Sequence, residues 1–240
     1  MATVHTTIGE FAAASLDAVR VFEKYGIDYC CGGKRPLAEV CAEKGIPADA
    51  VLRDLDEAAQ KPSNETDWNR APLRDLIRHI VGTHHEYLKL ELPRIDARLA
   101  KVLAVHGGHD ADVLRPLQGL FIALREELEL HLHKEEQILF PVIEAYEAAA
   151  AVGRPLPPTP LGTVTNPIVV MEHEHDSAGD VVERMRKVTS GFTPPPHACT
   201  TYRALFESLA QLESDLHRHV HLENNVLFPR AAALEVASRR

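Results

Sequence analysis

The sequence predicts an all-α fold, a four-helix up-down-up-down bundle with a small helical domain ahead of it. Three observations carry that prediction. Ala, Leu, Glu and Arg fill long segments whose apolar residues recur at steps of three and four, alternating β-branched runs are nearly absent, and proline-rich stretches separate the later segments. With 240 residues, 45% of them hydrophobic and 25% charged, the chain can bury one sizeable core and one small one.

Taken in order, residues 1–62 form the small helical domain, and the polar, proline-flanked stretch KPSNETDWNRAP (61–72) marks the boundary to a bundle over 63–240. Ser63 or Asp67 is placed to cap the helix that follows. Four periodic segments come next, at about 73–104, 114–150, 167–189 and from 200 into the C-terminal region. AVGRPLPPTPLGTVTNP joins the second to the third, and SGFTPPPHAC the third to the fourth. Connections of this kind suit antiparallel neighbours.

Composition excludes several function classes. Net charge is -9, from 26 basic and 35 acidic residues without a clustered Lys/Arg face, so nucleic acid is not an expected partner. No apolar run approaches the ~18 residues of a membrane span. The opening MATVHTTIGEFAAASLDAVRVF lacks a basic region followed by an apolar one, so the expected compartment is the cytoplasm. Four cysteines, irregularly spaced, do not make a disulfide framework.

A short motif then repeats: HLHKEEQILFP (131–141) returns as HVHLENNVLFP (219–229). Fourteen histidines are present, and the apolar stripe of each helix selects among them. In the second segment the stripe reads Leu114, Leu117, Phe121, Leu124, Leu128, His131, Glu135, Ile138, Val142, Ala145, so His131 and Glu135 interrupt a core seam while His133 and Glu136 face solvent. The fourth segment reads Leu205, Leu209, Leu212, Leu216, His219, Glu223, Val226, leaving His217 and His221 off the line. By the same test the third segment selects His175 over His173, and the first selects His85 over His84. His106 also falls on the first stripe but lies 21 residues beyond His85, about 31 Å along a continuous helix, too far to share its site.

Four imidazoles and two carboxylates on inner seams are costly as unpaired groups, and a metal removes that cost. At i and i+4 the histidine and glutamate of each copy stack on one face, about 5–6 Å apart at Cβ, so the glutamate can bridge two ions while the histidine binds one. Two such helices plus one histidine from each remaining helix make a pseudo-two-fold binuclear centre. Nitrogen and oxygen donors without thiolate suit iron or manganese, and an oxo or hydroxo bridge balances the remaining charge. Glu127, Asp215 and Glu174 are candidates to support the ligands from behind.

Near the start, YGIDYCCGGK (25–34) sets Cys30 and Cys31 before a glycine pair at an expected helix end. Two readings stand side by side: thiols at an exposed turn near Lys34 and Arg35, acidified for redox or metal transfer, or two small residues buried in a turn.

These segments, with EELELHLHKEEQILFP, MEHEHDSAG, TPPPHACTT and HVHLENNVLFPR, closely resemble the iron-sulfur cluster repair di-iron family, also called the repair-of-iron-centres family, over nearly the whole chain. The resemblance implies a hemerythrin-like bundle holding two iron ions, with His85, His131, His175 and His219 as terminal ligands and Glu135 and Glu223 as bridges. It implies a bacterial stress protein that restores iron-sulfur clusters damaged by nitric oxide or oxidants, by iron donation or by nitric oxide reduction. Cys30 and Cys31 match the family's cysteine pair, with an implied part in iron or electron handling. The partners implied are damaged iron-sulfur proteins, an electron donor of unidentified nature, and a small gaseous ligand, nitric oxide or oxygen; a homodimer stays open. A hemerythrin-like oxygen carrier or gas sensor is the competing expectation, with four histidines where five would be wanted and an appended cysteine domain against it.

Overall fold

The computed structural model describes residues 3–59, 66–159 and 161–238. Among them every regular element is helical, apart from one isolated bridge between Thr7 and Pro36. The chain divides into two compact units, one of residues 1–78, 142–165 and 217–240, the other of 79–141 and 166–216.

In the first unit α1 (Ile8–Ala14) starts on a capping box: the Glu10 amide donates to Thr7 Oγ1 at 3.3 Å and the Thr7 amide to Glu10 Oε2 at 2.9 Å. α2 (Leu16–Tyr25) is capped by Ser15 and ends at Gly26, whose φ of 62° is left-handed. α3 (Leu37–Lys44) and α4 (Ala48–Ala59) follow. Ile8, Phe11, Phe22, Leu37, Val51 and Leu55 form their common core, which Val220 joins from the C-terminal end of the chain.

Of the two caps expected before the first long helix, Ser63 lies outside the described residues, as does the 62/63 boundary. Asp67 does not cap that helix. It closes a local turn by accepting the Asn69 amide at 3.1 Å. The cap of α5 (Leu73–Ile80) comes instead from Glu147, which accepts the amides of Leu73 and Arg74. A carboxylate at a helix N-terminus satisfies orphan donors and the dipole wherever it comes from in the chain, so local sequence could not reveal it.

The long helices are α6 (Glu86–His106), α7 (Ala111–Lys134), α8 (Phe140–Ala151), α9 (Thr165–Val188), α10 (Thr200–Leu222) and α11 (Phe228–Ser238). π-helical turns splice α5 to α6 (Val81–His85), α7 to α8 (Glu135–Leu139) and α10 to α11 (Glu223–Leu227). The result is four helical runs where the sequence predicted four segments. α6 passes through Pro93 without ending. In the second unit the stripe residues Leu124, Leu205 and Leu209 meet Leu92, Ile95 and Val182 in one core. Every fully buried Leu or Ile there contributes about 1.5–3 kcal/mol over exposure.

The π turns correct part of one stripe. The Phe140 amide donates to the Glu135 carbonyl, five residues back, so one extra residue is absorbed and everything after it rotates. Ile138, expected inside, is 44% exposed, and Val142 and Ala145 also leave the core. Leu139, Ile143 and Tyr146 take their places. No helix among the described residues is long and apolar enough to cross a membrane.

Candidate metal centre

Within the second unit, the π turn ending at His85, α7 with His131, the π turn starting at Glu135, and α9 with His175 bring four of the expected residues together. Glu135 is fully buried, and neither carboxylate oxygen has a hydrogen-bond partner among the described residues. His85 Nε2 stands 3.5 Å and His131 Nε2 3.4 Å from Glu135 Oε2. His131 Nε2 and His175 Nε2 approach to 3.0 Å, and the donor atoms of His131, Glu135 and His175 lie within 4.8 Å of one another. A buried carboxylate without donors, faced by imidazole nitrogens, is an arrangement that a cation completes.

The outer nitrogens of the rings are held. His85 Nδ1 meets Glu136 Oε1 at 2.9 Å, and His131 Nδ1 meets Glu174 Oε2 at 2.9 Å. A carboxylate there keeps the proton on Nδ1 and turns the Nε2 lone pair inward, the usual way a protein orients a histidine ligand. Burial pushes both glutamates up, but Lys89 and His85 together hold Glu136 below its ordinary range, and Lys134 and His131 do the same for Glu174. The rear of the site is therefore anionic, with a lysine behind each carboxylate.

Three expectations change here, at Glu136, Asp215 and His84. Glu136, placed toward solvent by the stripe, is half-buried and positions His85. Glu174 does support a ligand, but on the neighbouring helix. Asp215, expected behind His219, accepts instead from His84 Nδ1 at 2.9 Å, and His84 is buried rather than facing outward. Among the described residues Glu127 makes no hydrogen bond or ion pair through its side chain that assigns it a part. His133 and His173 are exposed, as the stripes predict.

In the first unit the second copy keeps its local geometry. His219 Nε2 lies 3.0 Å from Glu223 Oε1, and the two residues are 1% and 0% exposed. The off-stripe His221 is also buried, and burial pushes it down to about 4, so it is a neutral imidazole. Its Nδ1 meets the Asn225 amide nitrogen at 3.0 Å, and that amide also donates to the Tyr29 carbonyl at 3.0 Å. His217 and His221 present their edges to the Tyr29 ring at 6.1 and 5.6 Å.

Tyr29 leads directly into the cysteines. Asp28 Oδ1 accepts the amides of Cys30 and Cys31 at 2.9 and 3.1 Å, and its Oδ2 accepts that of Gly32 at 2.9 Å. Neither thiol is in a disulfide, and their sulfurs are 3.8 Å apart. Cys30 departs from the exposed, acidified reading: it is buried, and its contact with Cys31 followed by burial pushes its thiol up.

Comparison with known proteins gives two family matches. A domain described as of unknown function (DUF542) matches residues 4–59, and a hemerythrin HHE cation binding domain matches residues 76–231. The iron-sulfur cluster repair protein YtfE of Escherichia coli O1:K1 is 41% identical over 228 residues, which cover 95% of this chain and 97% of that protein. The proteins of the same name from Escherichia fergusonii and from Escherichia coli O81 are 41% and 40% identical over the same span.

Proposed function

Since this chain belongs to the hemerythrin HHE cation-binding family, alongside the YtfE proteins, we propose that it holds two iron ions and repairs iron-sulfur clusters damaged by nitric oxide or oxidants. In this reading His85, His131, His175 and His219 are terminal ligands, Glu135 and Glu223 bridge the ions, and an oxo or hydroxo group balances the remaining charge. The observation that carries it is Glu135, fully buried with two oxygens that no hydrogen bond satisfies, facing the Nε2 atoms of His85 and His131. The repeat of its histidine and glutamate as His219 and Glu223, both buried, supports a second arm.

Bound ferrous iron would supply electrons and an open position to nitric oxide or oxygen, or would itself be given to a damaged cluster. The chain's part is to orient and to exclude water. Glu136 and Glu174 hold the Nδ1 protons of His85 and His131, Lys89 and Lys134 hold those carboxylates, and the buried Phe140 ring stacks on His85 at 5.7 Å. The damaged proteins themselves and an electron donor are the partners, in the cytoplasm. Cys30 and Cys31, adjacent and not joined in a disulfide, serve iron or electron handling.

Elemental analysis of protein purified without added metal, with low-temperature electron paramagnetic resonance after partial reduction, tests the centre. Two irons per chain and a mixed-valence signal are expected; zinc alone, or one metal per chain, overturns the reading. A centre that takes up and releases oxygen reversibly would move the assignment to a carrier.

A further inference from the structure

His106, set aside above because it lies about 31 Å along the helix from His85, ends α6 among other metal-binding groups. Asp110 stands at the N-terminal cap of α7, four residues on, and the segment before α10 brings His197 and Cys199 to the same place. His197 Nε2 lies 3.0 Å from Asp110 Oδ2, His106 Nε2 lies 3.3 Å from Cys199 Sγ, and the donor atoms of His106, Asp110 and His197 all fall within 4.8 Å of one another. We propose that His106, Asp110, His197 and Cys199 form a second metal site, for one divalent ion of tetrahedral preference such as zinc.

The donor set carries the proposal furthest. Two imidazoles, a carboxylate and a thiolate are ordinary zinc ligands, and tetrahedral bonds of about 2.0–2.3 Å separate neighbouring donors by about 3.3–3.6 Å. The His197–Asp110 and His106–Cys199 separations, 3.0 and 3.3 Å, lie at or just below that edge length, so an ion would need only a small outward shift of the groups. The scaffold is also rigid. Arg203 donates to the carbonyls of Ala198 and Pro196, Ala198 and Tyr202 are buried, and the Tyr202 ring lies 5.2 Å from the His106 ring. Asp110 is 14% exposed at its side chain and His197 54%, so the site has a buried base and an open mouth through which an ion can enter.

Full-length protein given one equivalent of zinc, desalted and assayed by elemental analysis, tests this. About one zinc per chain is expected to remain, in wild type and in Glu135→Ala alike, while His197→Ala combined with Asp110→Ala loses it and keeps its iron. His197 is largely exposed, so folding survives the change. Equal zinc in the wild type and the double variant, or none in the wild type, overturns the site. Alkylation of Cys199, followed by peptide mass spectrometry, should slow at least tenfold in the presence of zinc; an unchanged rate removes Cys199 from the ligand set and overturns the site as proposed.

Discussion

Glu135 and Glu136 are neighbours in sequence with opposite tasks. Glu135 is fully buried with no hydrogen-bond donor on either oxygen, whereas Glu136 holds His85 from one side and Lys89 from the other. Glu135→Ala is therefore expected to abolish iron binding at this centre, and Glu136→Gln to keep the fold while weakening iron affinity there about 10–100-fold, measured by competition with a chelator. Equal affinity in Glu136→Gln and wild type would mean that something else orients His85. Helical periodicity made the inward residue legible, because a step of four from His131 lands on the seam. It could not show what the outward neighbour meets, since that depends on where α6 lies. The cysteines differ in the same way. In metal-free protein, alkylation of Cys199 should reach half its maximal rate near pH 7, because its pKa is lowered and the thiolate forms early as pH rises. Cys30, buried and raised, should stay nearly unreactive until well above pH 9. Parallel pH profiles for the two thiols would contradict that assignment.

At the scale of elements, the three π turns are what the periodicity concealed. The four helical runs, their connections and the seams of the second unit's core were legible because apolar residues at steps of three and four have one consistent solution as helices. A π turn adds a residue without leaving the helix, so a stripe traced at steps of three and four runs through it and emerges on the wrong face. The Phe-Pro pairs at 140–141 and 228–229 were a usable signal. Proline cannot donate to the carbonyl four residues back and its ring crowds it, and each pair closely follows a π turn. The turn ending at His85 has no such mark. A direct consequence can be measured by denaturant unfolding. Ile138→Ala should change stability by no more than about 0.5 kcal/mol, whereas Leu139→Ala and Ile143→Ala should each cost about 2–5 kcal/mol. An uninterrupted stripe demands a cost at Ile138 and little at Leu139, so the reverse order would show that the helix is regular there.

Across the whole molecule, the two copies of the repeated motif have different surroundings, and that difference was not legible from the repeat. His133 and His221 occupy equivalent positions, yet His133 is exposed and His221 is buried against the segment that carries Tyr29 and the cysteines. The motif encodes its own helix, while the covering segment is some 190 residues away in sequence. Asn225 makes the junction by donating to the Tyr29 carbonyl and meeting His221, and two glycines leave room for it. A Cβ added at Gly9 would come 2.3 Å from Asn225 Oδ1 and 3.0 Å from the Gly33 carbonyl. Inside a helix, glycine to alanine normally gains up to about 1 kcal/mol. Here the sign should reverse: Gly9→Ala pushes the amide off its buried partners, at a cost of about 1–3 kcal/mol. In an Asn225→Ala background the obstructing oxygen is gone, so Gly9→Ala should cost at least about 1 kcal/mol less than in the wild type, a coupling that a double-mutant cycle measures directly. Additive losses would mean that the glycine is needed for some reason other than room for Asn225, and that the cysteine segment is not seated on the second copy through this side chain.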